Sequence, residues 1–270
     1  MQAHGFGILV VVAFLMIAAC GGGSPTTPSS ATPPPTVPSS TACSALGLGV
    51  PASTSIVNGA ECSTANSPIV LLNIKDQAGG QSGSCTGTVI APRAILTAAH
   101  CLPSTTASIN VFLGSGPQQV STSFAPHPQW RESNSTNYDV GVILMPTDIG
   151  RSAVPLLLSR DARVGETAII TGWGKDASGN LATLRAGSAT ITGVTAFTLQ
   201  TTSTTNASSV CQGDSGGPIL IQEGGTWSIG GVISANSTLA CSFGDNFYAN
   251  LRQPDIQSFI LSRVPDAIRR

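Results

Sequence analysis

The chain has 270 residues, 41% of them hydrophobic and only 9% charged, with a formal net charge of −1. Without a basic stripe, nucleic acid is not an expected partner. The length allows one domain of about 200–220 residues plus a terminal extension, and 30 Gly and 18 Pro among many Thr, Val and Ser favour short strands and turns over helices.

The first element is the apolar run Ile8–Ala19. It is shorter than the ~20 residues of a bilayer span but matches the apolar core of a signal peptide, although Met1–Gly7 carries no Lys or Arg. The run ends Ile17-Ala18-Ala19-Cys20, which resembles the bacterial lipobox. That resemblance implies a signal peptide over residues 1–19, cut before Cys20, and acylation of Cys20, several acyl chains giving a stable membrane anchor where one is marginal. An ordinary signal peptide cut nearby is the alternative. Residues 20–42 then form a lipidated cysteine and a Pro/Ser/Thr linker with almost nothing apolar to bury, expected to be extended and disordered.

From about Ile56 the pattern changes to short apolar or alternating runs between turn residues. The expected strands are Ile69–Ile74, Thr86–Ile90, Ala94–Thr97, Ile109–Leu113, Val140–Met145, Thr167–Thr171, Ala189–Val194, Pro218–Ile221, Trp227–Ile233 and Phe247–Asn250. Their spacing predicts an all-β sandwich or barrel, and no long helix-period segment interrupts them, which excludes a parallel α/β sheet. A helix is expected only at the C-terminus, where Pro254 and Asp255 open a segment with Ile256, Phe259, Ile260 and Val264 on one face.

Three motifs carry chemistry. Gly213-Asp214-Ser215-Gly216-Gly217-Pro218 places a serine in a tight, glycine-flanked turn, where its hydroxyl is exposed and backbone N–H groups can face a developing oxyanion. Thr97-Ala98-Ala99-His100-Cys101 and Asn137-Tyr138-Asp139 precede it, the aspartate heading an apolar strand. Taken in this order, TAAHC, the strand-heading Asp and GDSGGP resemble the trypsin/chymotrypsin family of serine proteases. Ile56-Val57-Asn58-Gly59, His127-Pro128-Gln129-Trp130 and Thr171-Gly172-Trp173-Gly174 resemble lesser marks of that family.

The resemblance covers Ile56 to about Arg263 and implies two antiparallel six-stranded β-barrels with a C-terminal helix, the site lying in the cleft between them. It implies a serine endopeptidase acting through an acyl-enzyme, with Ser215 as nucleophile, His100 as acid–base and Asp139 fixing the imidazole. Gly213 and Ser215 N–H groups form the oxyanion hole, and Ser234 hydrogen-bonds Asp139. Residues 43–55 become a pro-segment and 56–270 the protease domain. Cleavage of Ser55–Ile56 frees an amino group at Ile56 that pairs with Asp214, although Ser55 stands where the family has Arg or Lys. Protein or peptide substrates, a monomer and no cofactor are expected.

Seven cysteines are present, and with Cys20 set aside six remain, which allow fifteen pairings. By resemblance, Cys85–Cys101 braces the histidine loop and Cys211–Cys241 the specificity pocket. The family often joins a cysteine near Cys62 to the second barrel, where none is left, so Cys43–Cys62 is expected. Oxidised cysteines imply export, and the absence of C-x-x-C spacing argues against zinc. At the pocket, Ser209 takes the floor position, and Ala235 and Asn236 the wall, which together imply small or apolar preference. Asp245 either joins the pocket wall and favours basic residues or sits in a surface turn. The rival reading is a catalytically silent protease-fold binding module at the cell envelope; a structural lipoprotein would not need GDSGG.

Overall fold

A computed structural model describes residues 39–48, 59–175, 179, 181, 183–203, 207–238 and 241–270. Cys20, Ser55 and Ile56, and with them the expected lipidation and activation sites, lie outside the described residues.

Fourteen strands, two α-helices and two short 3-10 turns make up the described elements, with all strand pairings inside the two sheets antiparallel. The first sheet runs β6 (Gln119–Ser121), β5 (Thr106–Phe112), β2 (Ile69–Asp76), β3 (Gln81–Ala91), β4 (Ala94–Thr97), β8 (Gly141–Leu144) and β7 (Ser123–Pro126). Its two edge strands, β6 and β7, are halves of one bent segment separated only by Thr122. At the bend the Ser121 hydroxyl donates to the Leu144 carbonyl at 2.8 Å and accepts from the Ser123 N–H at 3.1 Å. The chain itself therefore closes a six-stranded barrel.

The second sheet closes by hydrogen bonds. β9 (Thr167–Gly172) pairs with both β10 (Arg185–Val194) and β12 (Pro218–Glu223), and β11 (Thr198–Ser203), β14 (Gly244–Asn250) and β13 (Thr226–Asn236) complete the ring. A two-residue strand, β1 (Ala60–Glu61), adds to β10 outside that ring. Two antiparallel six-stranded barrels are thus present, as the sequence implies. β2 reads as a continuous apolar run because its residues Ile69 to Leu72 are all buried, which suits β-branched and apolar side chains.

β1, β6, β7 and β11 are not among the expected strands, and β11 is the longest of them. Its inward residues are Leu199, Thr201 and Ser203, all buried, so the inner face is partly polar and the alternation of apolar and polar residues is lost. α1 (Ser39–Ala45) also departs from expectation, since it begins inside the segment read as linker. Cys43 explains it: the residue is buried and tied to Cys62 by a disulfide, and α1 packs on β1 and β10. α2 (Pro254–Arg263) forms where expected. Gln253 caps it by accepting from the Ile256 N–H at 2.8 Å, Pro254 occupies the first turn, and Ile256, Phe259 and Ile260 are buried.

Ties between the barrels set the cleft. Trp173, 1% exposed, follows β9 of the second barrel; its Nε1–H donates to the Ile69 carbonyl of β2 at 3.1 Å, and its ring meets Phe112 edge-on at 5.8 Å. Among the described residues no helix is long and apolar enough to cross a membrane. Truncating Trp173 removes both a large buried side chain and an inter-barrel hydrogen bond. Trp173→Ala is expected to lower the unfolding free energy by about 3–5 kcal/mol in chemical denaturation, whereas a surface change such as Val164→Ala should leave it within about 0.5 kcal/mol.

Candidate active site

His100 sits in a single 3-10 turn, Ala99–Cys101, directly after β4, and Cys101 ties that turn to β3 through the Cys85–Cys101 disulfide. Asp139 lies two residues before β8, and β4 and β8 are paired neighbours, which brings the two side chains together. The Asp139 carboxylate is fully buried and accepts three hydrogen bonds. His100 Nδ1–H donates to Oδ2 at 2.7 Å, the His100 backbone N–H to Oδ1 at 2.9 Å, and the Ser234 hydroxyl to Oδ2 at 2.6 Å. Ser234 belongs to β13 of the other barrel, so one carboxylate joins three elements across the cleft.

Burial alone lowers the His100 pKa, but the hydrogen bond and negative charge of Asp139 outweigh it and hold the imidazolium above its ordinary 6.5. With Nδ1 committed to Asp139, Nε2 is the nitrogen left to exchange a proton. Tyr138, the residue before Asp139, has φ of +56°, which is strained for a bulky side chain. Its ring compensates by stacking on buried His127 at 4.9 Å and meeting Phe197 edge-on at 5.2 Å. Burial depresses the His127 pKa, and its nitrogens contact the Asp255 carbonyl and the Gln129 N–H; it is a packing residue.

Ser215 comes from the loop between β11 and β12 of the second barrel and is half-buried. Cys211–Cys241 holds the loop's start. Gly213 and Gly216 have φ of +96° and +85°, and at Gly216 a Cβ would fall 2.3 Å from the Thr86 carbonyl. Thr86 of β3 binds this loop twice: its N–H donates to the Ser215 carbonyl at 2.8 Å and its hydroxyl to the Gly213 carbonyl at 2.8 Å. Among the described residues, no acceptor is seen for the N–H of Gly213 or of Ser215.

Asp214 points away from solvent and is 3% exposed. Its carboxylate accepts from the Gly174 and Cys211 N–H groups, each at 2.8 Å. The spacing of Gly172-Trp173-Gly174 is explained here: a Cβ at either glycine would lie within 2.5 Å of the carboxyl group. Burial pushes the Asp214 pKa up to about 6, against the lowering effect of the two N–H groups and of the Arg185 charge. Arg185, also buried, donates from Nη1 to the Gly174 carbonyl at 3.1 Å.

Beside Ser215 opens a cavity of about 150 Å³ lined by Val210–Gln212 on one side and Ile233–Asn236, Thr238 and Cys241 on the other. Ala235 and Asn236 therefore line it, as does Ser234. Ser209 and Asp245 do not. Ser209 is 1% exposed behind the wall, where its hydroxyl accepts from Ser203 at 2.7 Å and donates to Asn246 at 3.3 Å. Strand alternation in β14 turns Asp245 to the face opposite Asn246, and its carboxylate accepts from the Thr202 hydroxyl at 2.7 Å. The inward neighbour that sequence reading missed is Asn246, fully buried, whose Oδ1 accepts from Asn236 Nδ2 at 2.7 Å. Register could have found it, because Asn236 and Asn246 are directly paired residues of β13 and β14.

Cys85, His100 and Cys101 place potential metal donors within 4.8 Å of one another, but the two sulfurs are consumed in the Cys85–Cys101 disulfide and offer no thiolate. Three disulfides are present: Cys85–Cys101 and Cys211–Cys241, the pairs that the resemblance implies, and Cys43–Cys62, the pair expected because no partner is left for Cys62 in the second barrel; they fit an oxidising compartment.

The His100 environment makes a direct prediction. In Asp139→Asn the charge that favours the imidazolium is gone while burial remains, so the His100 pKa followed by NMR should fall below 6.5, from above it in the wild type.

The sequence pattern of the family described as Trypsin matches residues 56–254, well over half of the chain. Trypsin beta of Drosophila erecta is 29% identical over 209 residues, which cover 68% of this chain and 79% of the relative. Kallikrein-11 of Homo sapiens is 34% identical over 176 residues, 56% of this chain and 61% of the kallikrein, so the chain spans less than two thirds of that relative. Chymotrypsin-like elastase family member 1 of Rattus norvegicus is 26% identical over 215 residues. The solved structure of HL collagenase superposes with a TM-score of 0.63 over 73% of this chain and 93% of the collagenase; at 20% identity that likeness speaks to fold alone. A bridged His–Asp pair, a glycine-flanked serine loop and this family match converge on one assignment: the chain belongs to the trypsin family.

Proposed function

We propose that the protein is a serine endopeptidase that cleaves after small or apolar residues. The observation that carries this reading is the Asp139 carboxylate, which holds His100 with Nδ1 as donor and Nε2 free to act as base. The Ser215 hydroxyl oxygen attacks the scissile carbonyl carbon, and its proton passes to His100 Nε2. The oxyanion so formed takes hydrogen bonds from the Gly213 and Ser215 N–H groups, and Asp139 stabilises the imidazolium. His100 then protonates the leaving amine as the C–N bond breaks. Water, deprotonated by the same nitrogen, hydrolyses the ester and restores Ser215.

The cavity supports the preference. It is small, none of its described lining residues is charged, and its wall residue Asn236 is held from behind by a hydrogen bond to Asn246. A long basic side chain would meet no carboxylate there, since Asp245 faces away and is engaged by Thr202. A binding module without catalysis would not need the Asp139 network, whose every donor is in place. We also place the enzyme at the cell envelope through acylated Cys20, on the strength of Ile17-Ala18-Ala19-Cys20.

Peptide libraries read by mass spectrometry test the activity and its preference together. The wild type should cut after Ala, Val or Leu and hardly after Arg or Phe, and Ser215→Ala should cut nothing. Asn236→Gly with Asn246→Gly should raise kcat/KM after Phe relative to Ala by about 10–200-fold. Cleavage after Arg by the wild type would overturn the preference, and equal cleavage by Ser215→Ala would overturn the mechanism. Membrane fractionation tests the anchor: Cys20→Ser should move the protein from the membrane pellet to the soluble fraction.

A further inference from the structure

We propose that Thr86 is a positioning residue for the oxyanion-binding loop, its hydroxyl fixing the loop's orientation from the opposite barrel; this rests on the serine endopeptidase reading. Three hydrogen bonds carry it. The Thr86 hydroxyl accepts from the Trp173 N–H at 3.0 Å and donates to the Gly213 carbonyl at 2.8 Å, while the Thr86 N–H donates to the Ser215 carbonyl at 2.8 Å. The side chain is fully buried, so water does not compete for either bond.

The loop needs such a tie. Gly213 has φ of +96°, a region closed to most residues but easily left by glycine, and glycine carries the largest conformational entropy of any residue. The peptide on one side of Gly213 supplies the N–H proposed to meet the oxyanion, and the peptide on the other side supplies the carbonyl that Thr86 holds. Fixing that carbonyl and the Ser215 carbonyl holds the peptides on either side of the Asp214–Ser215 pair, and so restricts the two N–H groups, for which no acceptor is seen among the described residues. Asp214 anchors the same loop through Gly174, from within its own barrel. Thr86 adds the tie to the histidine-bearing barrel, so the donors are aligned with His100 and not only with one another. An N–H → O–H → O=C chain also polarises its middle member, which strengthens both bonds.

The test is labelling of the full chain by a small serine-reactive phosphonate, with the maximal rate and the half-saturating concentration determined separately for wild type, Thr86→Val, Thr86→Ser and Ser215→Ala. Valine keeps the shape and loses the hydroxyl; serine keeps the hydroxyl and loses a methyl. The expected result is a maximal rate for Thr86→Val about 10–100-fold below wild type, less than the about 10²–10³-fold cost of deleting an oxyanion donor outright. Its half-saturation should be unchanged, and Thr86→Ser should run near the wild-type rate. If Thr86→Val matches wild type, or Thr86→Ser is as slow as Thr86→Val, the hydroxyl does not position the loop and the proposal is overturned. If Thr86→Val does not fold, Thr86→Ala replaces it with the same two outcomes. A wild type that labels no faster than Ser215→Ala defeats the endopeptidase reading itself, and this proposal with it.

Discussion

The rest of the site depends on the burial of one carboxylate. Asp139 has no exposed surface, and an ionised carboxylate removed from water is tolerated only if its lone pairs are satisfied. Three donors from two segments meet that demand: the ring and backbone of His100, and Ser234 of the second barrel. The same bonds that offset desolvation also choose the imidazole tautomer, raise its pKa and stitch the barrels together at the cleft. A strained Tyr138 backbone aims the carboxylate, and the stack of Tyr138 on His127, itself packed on Phe259 of α2, holds that strain in place. The C-terminal helix thus reaches the His100–Asp139 pair through two aromatic contacts.

The Ser215 side obeys a different constraint. Its loop needs glycine because a Cβ at Gly216 would fall 2.1 Å from the Thr97 hydroxyl and 2.3 Å from the Thr86 carbonyl of the first barrel, and one at Gly217 would fall 2.4 Å from the Thr171 carbonyl of its own barrel. Glycine gives access but no rigidity. Rigidity comes from outside the loop, through Thr86, the Gly174 N–H on Asp214 and the Cys211–Cys241 disulfide, and from the Cys211 N–H on Asp214 within it. One half of the site is therefore ordered by electrostatic demand and the other by geometric clamping, and the cleft is where the two meet.

The legible parts of this protein were those whose chemistry demands short contiguous motifs. His100, Asp139 and Ser215 stood out because each lies in a local pattern, and β2, β4 and β8 because they are nearly continuous apolar runs. What escaped was set by register. Thr86 reads as an ordinary strand residue until β3 is seen to run beside the serine loop. Asn246 and the inward face of β11 escaped because Thr201, Ser203, Ser209, Asn236 and Asn246 form a buried polar network, which hides the apolar alternation that marks a strand. Asp245 was ambiguous for the same reason, since a shift of one residue in β14 exchanges it with Asn246. The helix at Ser39–Ala45 was hidden by a composition typical of linkers and is explained only by the Cys43–Cys62 bond.

In the proposed mechanism His100 and the Gly213–Ser215 loop converge on one reacting oxygen. The most direct measurement is a crystal structure of the protein after reaction with a phosphonate. Phosphorus is expected on Ser215 Oγ, with its free oxygen within hydrogen-bond distance of the Gly213 and Ser215 N–H groups and His100 Nε2 beside the ester oxygen with Nδ1 still on Asp139. Phosphorus on Ser215 with its free oxygen turned to solvent, or a reagent bound covalently anywhere else, would contradict it.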